Sequence, residues 1–186
     1  MPPLTAPTLS DGEITVRGLR ESDVPAITAA CQDPEISRWT RVPSPYTRED
    51  AERFVAICAA DAAAGNGLAL AVTGPDDRLI GTVGLIQLDG GSAAEIGYWT
   101  AAEARGRGVT TRAVILLRDW AHEQLGFGTI EVLPHRDNRP SQLVAERAGF
   151  VDTGEQRSIG RMPPGRQEGY MVYRWNSTAA GHPDGT

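Results

Sequence analysis

Residues 105–110, Arg-Gly-Arg-Gly-Val-Thr, carry the most distinctive chemistry in the chain. They follow the alternating segment AAEIGYW (93–99) and open a segment of helical periodicity, so they sit where a strand hands over to a helix. The first N–H groups of a helix lack internal partners, and the helix dipole adds partial positive charge at the same end. Such a start is a ready site for phosphate. Gly106 and Gly108 let an anion approach the backbone, while Arg105 and Arg107 add charge that suits phosphate oxygens. The competing reading is a solvated turn. A P-loop would need Gly-Lys-Ser or Gly-Lys-Thr, which the chain lacks. A dinucleotide fingerprint would need a third small residue where Thr111 stands and an acid ending the next strand, and neither requirement is met cleanly. An RGG-type RNA segment would be repetitive and flanked by disorder, whereas this one lies inside an ordered strand–helix unit.

The elements that must hold this loop can be read along the chain. EITVRGL (13–19) alternates like a strand, and Ser22 is placed to cap a helix over 23–32 with Pro25 in its first turn. Thr47 with Asp50 forms a capping-box pattern for a helix that stops at Gly65. Strands are expected at 67–73 and 79–88, joined by the turn PDDR, and DGGS turns the chain into the strand over 93–99. Val109, Ala113, Leu116, Leu117 and Trp120 share one helical face, and Gly126 ends that helix. A strand at 129–133, a short helix at 139–149 and two closing strands, FVDTGE and GYMVYRW, complete the pattern. The expectation is a single mixed α/β (α+β) domain, with a central sheet of about six to seven strands and about four helices. Residues 1–12, rich in Pro, Thr and Ser, and 176–186 are expected to be disordered, leaving 13–175 as the domain.

At 186 residues the chain suits one domain and needs no disulfide or metal staple. Cys31 and Cys58 have no paired spacing and read as small buried hydrophobes. No signal peptide, long apolar run or lipidation motif is visible, so a soluble cytoplasmic protein without membrane association is expected. The balance of 18 basic against 24 acidic residues argues against general nucleic-acid binding, while leaving room for a local basic patch such as RGRG. A covalent cysteine route would need an exposed thiol paired with histidine, and neither thiol has that setting.

The loop resembles the acetyl-CoA pyrophosphate loop of the GCN5-related N-acetyltransferases, written Q/R-x-x-G-x-G/A, with Thr110 departing from its last position. AEIGYW before it, NRPSQLVAERAGF (138–150) after it, and the openings TVRGLRESDV and YTREDAERFV look like the subgroup that includes the ribosomal-protein N-terminal acetyltransferases. The resemblance covers about residues 13–175.

It implies acetyl-CoA as co-substrate, a primary amine as acceptor (a protein N-terminal α-amine or a small molecule), and no metal. Succinyl or longer acyl donors and a homodimer are compatible with it. Tyr98, Trp99 and Thr100 would offer backbone groups to the acyl carbonyl and pantetheine arm, and Arg105 to Thr110, Val109 included, would hold the pyrophosphate. Asn138 would hydrogen-bond the pantetheine region and Ser141 would lie near the sulfur; alternatively Asn138 caps the following helix and Ser141 sits in its first turn. Glu95, on the strand flanking the acyl site, is the candidate base for the amine, with an exposed strand carboxylate as the competing reading and Glu168 as the reserve. His135 reads as a surface loop residue. The tyrosine that many relatives carry late in the second motif, as the acid for the departing thiolate, is Ala145 here, which favours Ser141 for that task. Trp39, Tyr46 and Phe54 are candidates for the acceptor side or for the core. The alternative function is a non-catalytic CoA-binding or partner-binding domain on the same fold.

Overall fold

The computed structural model describes residues 2–86, 93–158 and 169–177. In chain order its elements are β1 (Leu9–Ser10), β2 (Thr15–Gly18), α1 (Val24–Ala30), α2 (Pro34–Trp39), α3 (Arg48–Ala64), β3 (Leu68–Thr73), β4 (Leu79–Ile86), β5 (Ala93–Thr100), α4 (Val109–Leu125), β6 (Thr129–Val132), α5 (Arg139–Arg147), β7 (Val151–Arg157) and β8 (Tyr170–Asn176). Several boundaries follow from local chemistry. Thr47 Oγ1 accepts from Asp50 N at 3.2 Å and Asp50 Oδ2 accepts from Thr47 N at 3.0 Å, so the capping box starts α3. Gly65 and Gly126 end α3 and α4 with φ of 72° and 77°, where glycine pays no Cβ penalty.

One sheet runs in the order β1-β2-β3-β4-β5-β6-β8-β7. All neighbours are antiparallel except β5 and β6, which are parallel. One face packs on α4 and α5 through Val83, Leu85, Ile96, Val114, Leu117 and Ile130, each at most 1% exposed. The other face packs on α1, α2 and α3 through Val24, Ile27, Ile36 and Ala51. Each large side chain so buried contributes roughly 1.5–3 kcal/mol. No helix among the described residues is long and apolar enough to cross a membrane.

The differences from the sequence reading are local. The described residues form eight strands rather than six to seven, and five helices rather than four. α2, with two turns at most, is too short to show periodicity. The segment expected to be disordered at the N-terminus instead contributes β1, which pairs with β2, and Leu4, which is 8% exposed and donates its N–H to Ala62 O. Its two leucines supply enough apolar surface to dock it. Ser22 does not cap α1; it lies in a 3-10 turn over Glu21–Asp23, and Asp23 is the residue before the helix. The expected DGGS turn and residues 178–186 of the expected tail lie outside the described residues.

Candidate active site

The glycine loop leaves β5 through a short 3-10 turn, Ala102–Ala104, and reaches α4 with two left-handed glycines, Gly106 at φ 73° and Gly108 at φ 77°. Gly108 immediately precedes α4 and makes no side-chain cap bond, and no acid lies in the first turn. The first bond back to the loop is Arg112 N to Gly108 O at 3.0 Å. The N–H groups of Val109, Thr110 and Thr111 therefore precede the helical ladder, at the positive end of a 17-residue helix. A Cβ added to Gly106 or Gly108 would meet nothing within 4 Å, so open space lies over the backbone here. Val109, 7% exposed, anchors the loop in the core, and Thr110 Oγ1 lies 2.6 Å from Thr100 Oγ1, tying it to the end of β5. Arg107 is exposed. Arg105 turns inward: its Nε donates to Thr100 O at 3.1 Å and its Nη2 lies 2.7 Å from Asp33 Oδ2 at the start of α2.

Beside the loop the sheet splays. Among the described residues β5 and β6 pair from Ala93–Glu95 to Thr129–Glu131 and no further, whereas β5 stays paired with β4 as far as Thr100. Residues Ile96 to Trp99 therefore face an opening on the β6 side. The first turn of α5 lies across it. Asn138 Oδ1 accepts from Ser141 N at 3.2 Å, as the capping alternative expects, and Asn138 also lines the opening. Tyr98 Oη lies 2.9 Å from Ser141 Oγ and donates to Ser141 O at 3.2 Å. Burial pushes the Tyr98 phenol up to about 12.

Glu95 occupies the last paired position before the splay, half-buried, with Glu131 as its register partner on β6. Burial pushes its carboxyl up to about 7; the Glu131 charge adds to this, while Arg41 and Arg157 oppose it. Glu131 itself is 5% exposed and held ionised by Arg157 and by Arg174, whose Nη2 lies 2.7 Å away. A single cleft of about 700 Å³ joins these parts, lined at one end by Arg105 and Thr110, then by Tyr98, Asn138 and Ser141, and beyond them by Glu95, Trp39 and Phe54.

This combination can be set against known proteins. Residues 13–151 match the family described as acetyltransferase (GNAT) domain. The chain belongs to the GNAT family. Its members use acetyl-CoA. YdaF of Bacillus subtilis (strain 168), named as a ribosomal N-acetyltransferase, is 37% identical over 83 residues, covering 44% of this chain and 45% of YdaF. YjcK of the same strain, named as an N-acetyltransferase, is 41% identical over 87 residues, covering 46% of this chain and 48% of YjcK. The chain thus spans about half the length of the curated relatives it matches. Mycobacterium smegmatis RimJ, solved with a CoA disulfide, has a TM-score of 0.80 at 19% identity over 94% of this chain and 88% of RimJ, which shows the shared fold.

Within the GNAT domain, Glu95, Tyr98, Trp99, Thr100, Arg105, Thr110, Asn138 and Ser141 all line the one cleft. The exposed Gly106, Arg107 and Gly108 lie on the loop beside it. Trp39, Tyr46 and Phe54 line it as well, although Tyr46 is also core at 8% exposed. His135 departs from expectation. It is 7% exposed, its Nδ1 accepts from Asp137 N at 3.1 Å, and its ring packs against Trp39 and Tyr170 at 5.6 and 5.5 Å between centroids. The partners come from α2 and β8, so no local signal could have announced the burial. Glu168, the reserve base, lies outside the described residues. The Tyr98 hydroxyl is a candidate group that the sequence did not announce, because its partner Ser141 lies 43 residues away. Among the described residues no cluster of three or more His, Cys, Asp or Glu side chains could hold a metal ion.

Proposed function

We propose that this chain transfers an acetyl group from acetyl-CoA to a primary amine, using residues 13–175 as its catalytic domain and working in the cytoplasm. The observation that carries the reading is one cleft that joins the open glycine-led start of α4 to the half-buried Glu95 through the gap between β5 and β6. The names of the Bacillus relatives support an amine acceptor, with a protein N-terminal α-amine as one form of it.

The residues present fit the co-substrate. Backbone N–H groups at Val109 to Thr111, beneath open space at Gly106 and Gly108, suit a pyrophosphate, and Arg107 adds charge. The β5 edge from Ile96 to Trp99 offers backbone groups where β6 has diverged, which suits an amide-bearing arm. When bound, acetyl-CoA supplies an acyl carbon activated as a thioester and a thiol leaving group.

The chain's own work is then positioning and proton management. An α-amine of pKa ~8 arrives mostly protonated, and it must lose that proton to attack. Glu95, with its carboxyl pushed up to about 7, is about half ionised at neutral pH, and its carboxylate is basic enough to take the proton directly or through one water. Tyr98 Oη and Ser141 Oγ hold protons at the start of α5, available to a departing thiolate. The Arg105 contacts to Thr100 O and Asp33 fix the end of β5 against the start of α2, which sets the width of the cleft there.

The test is direct. Purified protein with acetyl-CoA is offered peptides with free N-termini and small primary amines, and free thiol and acetylated product are measured. Stoichiometric release of both is expected. Tight acetyl-CoA binding with no acetylated product from any amine would overturn the reading in favour of a CoA-binding domain.

A further inference from the structure

Beyond Glu95 the cleft changes character. Side chains of 95, 97 and 99 share one face of β5, and their register partners on β4 are Ile86, Gly84 and Thr82. Gly84 in turn pairs with Ala69 on β3. Ala69, Gly84 and Gly97 thus form a row across three strands that leaves the sheet almost bare, with Glu95 and Ile86 at one border and Trp99 at the other. All of these residues line the cleft.

The walls over this floor are apolar. Trp39 of α2 and Phe54 of α3 face the cleft half-buried, and Ile57, one turn further along α3, is 51% exposed. Ile86 is 37% exposed. These two isoleucines account for two of the three exposed large hydrophobic side chains among the described residues, and both stand in the same cleft. Concave, apolar sites with a few convergent polar groups are what ligands with apolar bodies occupy. A short polar acceptor would leave these side chains in water.

We propose that the acceptor amine carries an aromatic or large branched aliphatic group beside its nitrogen, seated on the Ala69–Gly84–Gly97 floor between Trp39, Phe54 and Ile57, with the nitrogen directed to Glu95; this rests on the N-acetyltransferase reading above. The sheet floor favours flat or branched groups, because Gly97 has no side chain to lift them. A Cβ there would come within 3.3 Å of Ile86 Cδ1, so even a modest side chain narrows the trough.

The experiment compares amines of similar basicity that differ only in side chain: phenylalanine amide and leucine amide against glycinamide and serinamide. Thiol release gives kcat/KM, and quenching of tryptophan fluorescence, without acetyl-CoA, gives binding. The apolar amides are expected to exceed glycinamide by about 10- to 100-fold in kcat/KM, mostly through KM. Gly97→Val and the surface change Ile57→Ser should each weaken phenylalanine amide binding severalfold. Ile57→Ser removes an exposed side chain and leaves the fold intact, so it tests the trough even if Gly97→Val folds poorly. Equal or better use of glycinamide or serinamide by an active enzyme overturns the proposal. Retained, variant-sensitive binding of phenylalanine amide with no turnover of any amine supports the trough while overturning acetyl transfer.

Discussion

Tyr98 on β5 and Ser141 on α5 join their hydroxyl oxygens at 2.9 Å across the opening between β5 and β6. Tyr98 also donates to the Ser141 carbonyl at 3.2 Å, so strand and helix are latched at this point. The position late in the second motif, Ala145, is fully buried and carries no hydroxyl. The phenol reaches the same region from the strand instead. Tyr98→Phe and Ser141→Ala should each lower kcat, by roughly 10²-fold, with little change in acetyl-CoA affinity. The double variant should be no worse than the poorer single one, since the two act as a unit. Multiplicative losses in thiol-release kinetics would show independent roles.

The Glu95 carboxyl, near 7, sets a pH dependence with two readouts. As the base, Glu95 must be ionised, so kcat/KM for an amine should rise with pH through about 7, and Glu95→Gln should lose that limb. Stability runs the other way. Its folded value lies above the ordinary 4.5, so the native state binds the extra proton, and stability declines as pH rises from about 4.5 to about 7. Above that window the ionised carboxylate costs about 3 kcal/mol. Glu95→Gln should therefore raise Tm at pH 8 and change it little at pH 4.5. A wild-type advantage in Tm at pH 8 would contradict the burial argument.

Gly108 combines a left-handed backbone with open space above it. Gly108→Asn keeps a residue that tolerates this φ, and Gly108→Val introduces one that does not. Both should weaken acetyl-CoA binding by about tenfold or more in calorimetry, by obstructing approach to the N–H groups. Only the valine variant should also lose one to a few kcal/mol of stability from backbone strain. Unchanged affinity in the asparagine variant would remove the phosphate role from this loop.

The two loop arginines should separate. Arg107 is exposed, and charge there is screened within about 8 Å at physiological ionic strength, so Arg107→Ala should flatten the salt dependence of acetyl-CoA affinity. Arg105 is committed to Asp33 and Thr100. Arg105→Ala should leave that slope nearly intact and instead raise KM for the amine, through loss of the tie to α2. Equal effects on the salt slope would mean that Arg105 leaves Asp33 for the ligand.

What the sequence made legible was local chemistry. The Thr47–Asp50 box, the stop glycines at 65 and 126 and the periodic face of α4 depend on residues within a few positions of one another, and so does the glycine loop. Long-range pairings were not legible. Ser141 carries no mark that Tyr98 will meet it, and Arg105 none that Asp33 will draw it inward. His135 looked like a loop residue because its burial depends on Trp39 and Tyr170, from two distant elements. β1 and α2 were missed for a different reason: two residues and six are too few for a period to register.

Among the described residues, three residue pairs, Ala93–Glu95 with Thr129–Glu131, stitch the five-strand half of the sheet to the three-strand half. Below Glu95 that stitch ends, and the backbone of Ile96 to Trp99 meets no ladder on that side. A co-substrate arm lying there would act as a surrogate strand, supplying the hydrogen bonds that β6 does not make. Occupancy should then slow amide exchange along the far end of β5 and knit the two halves into a single cooperative unit. On the acetyl-transfer proposal, the domain's mechanical continuity would be a property shared with its co-substrate, renewed and given up with each turnover.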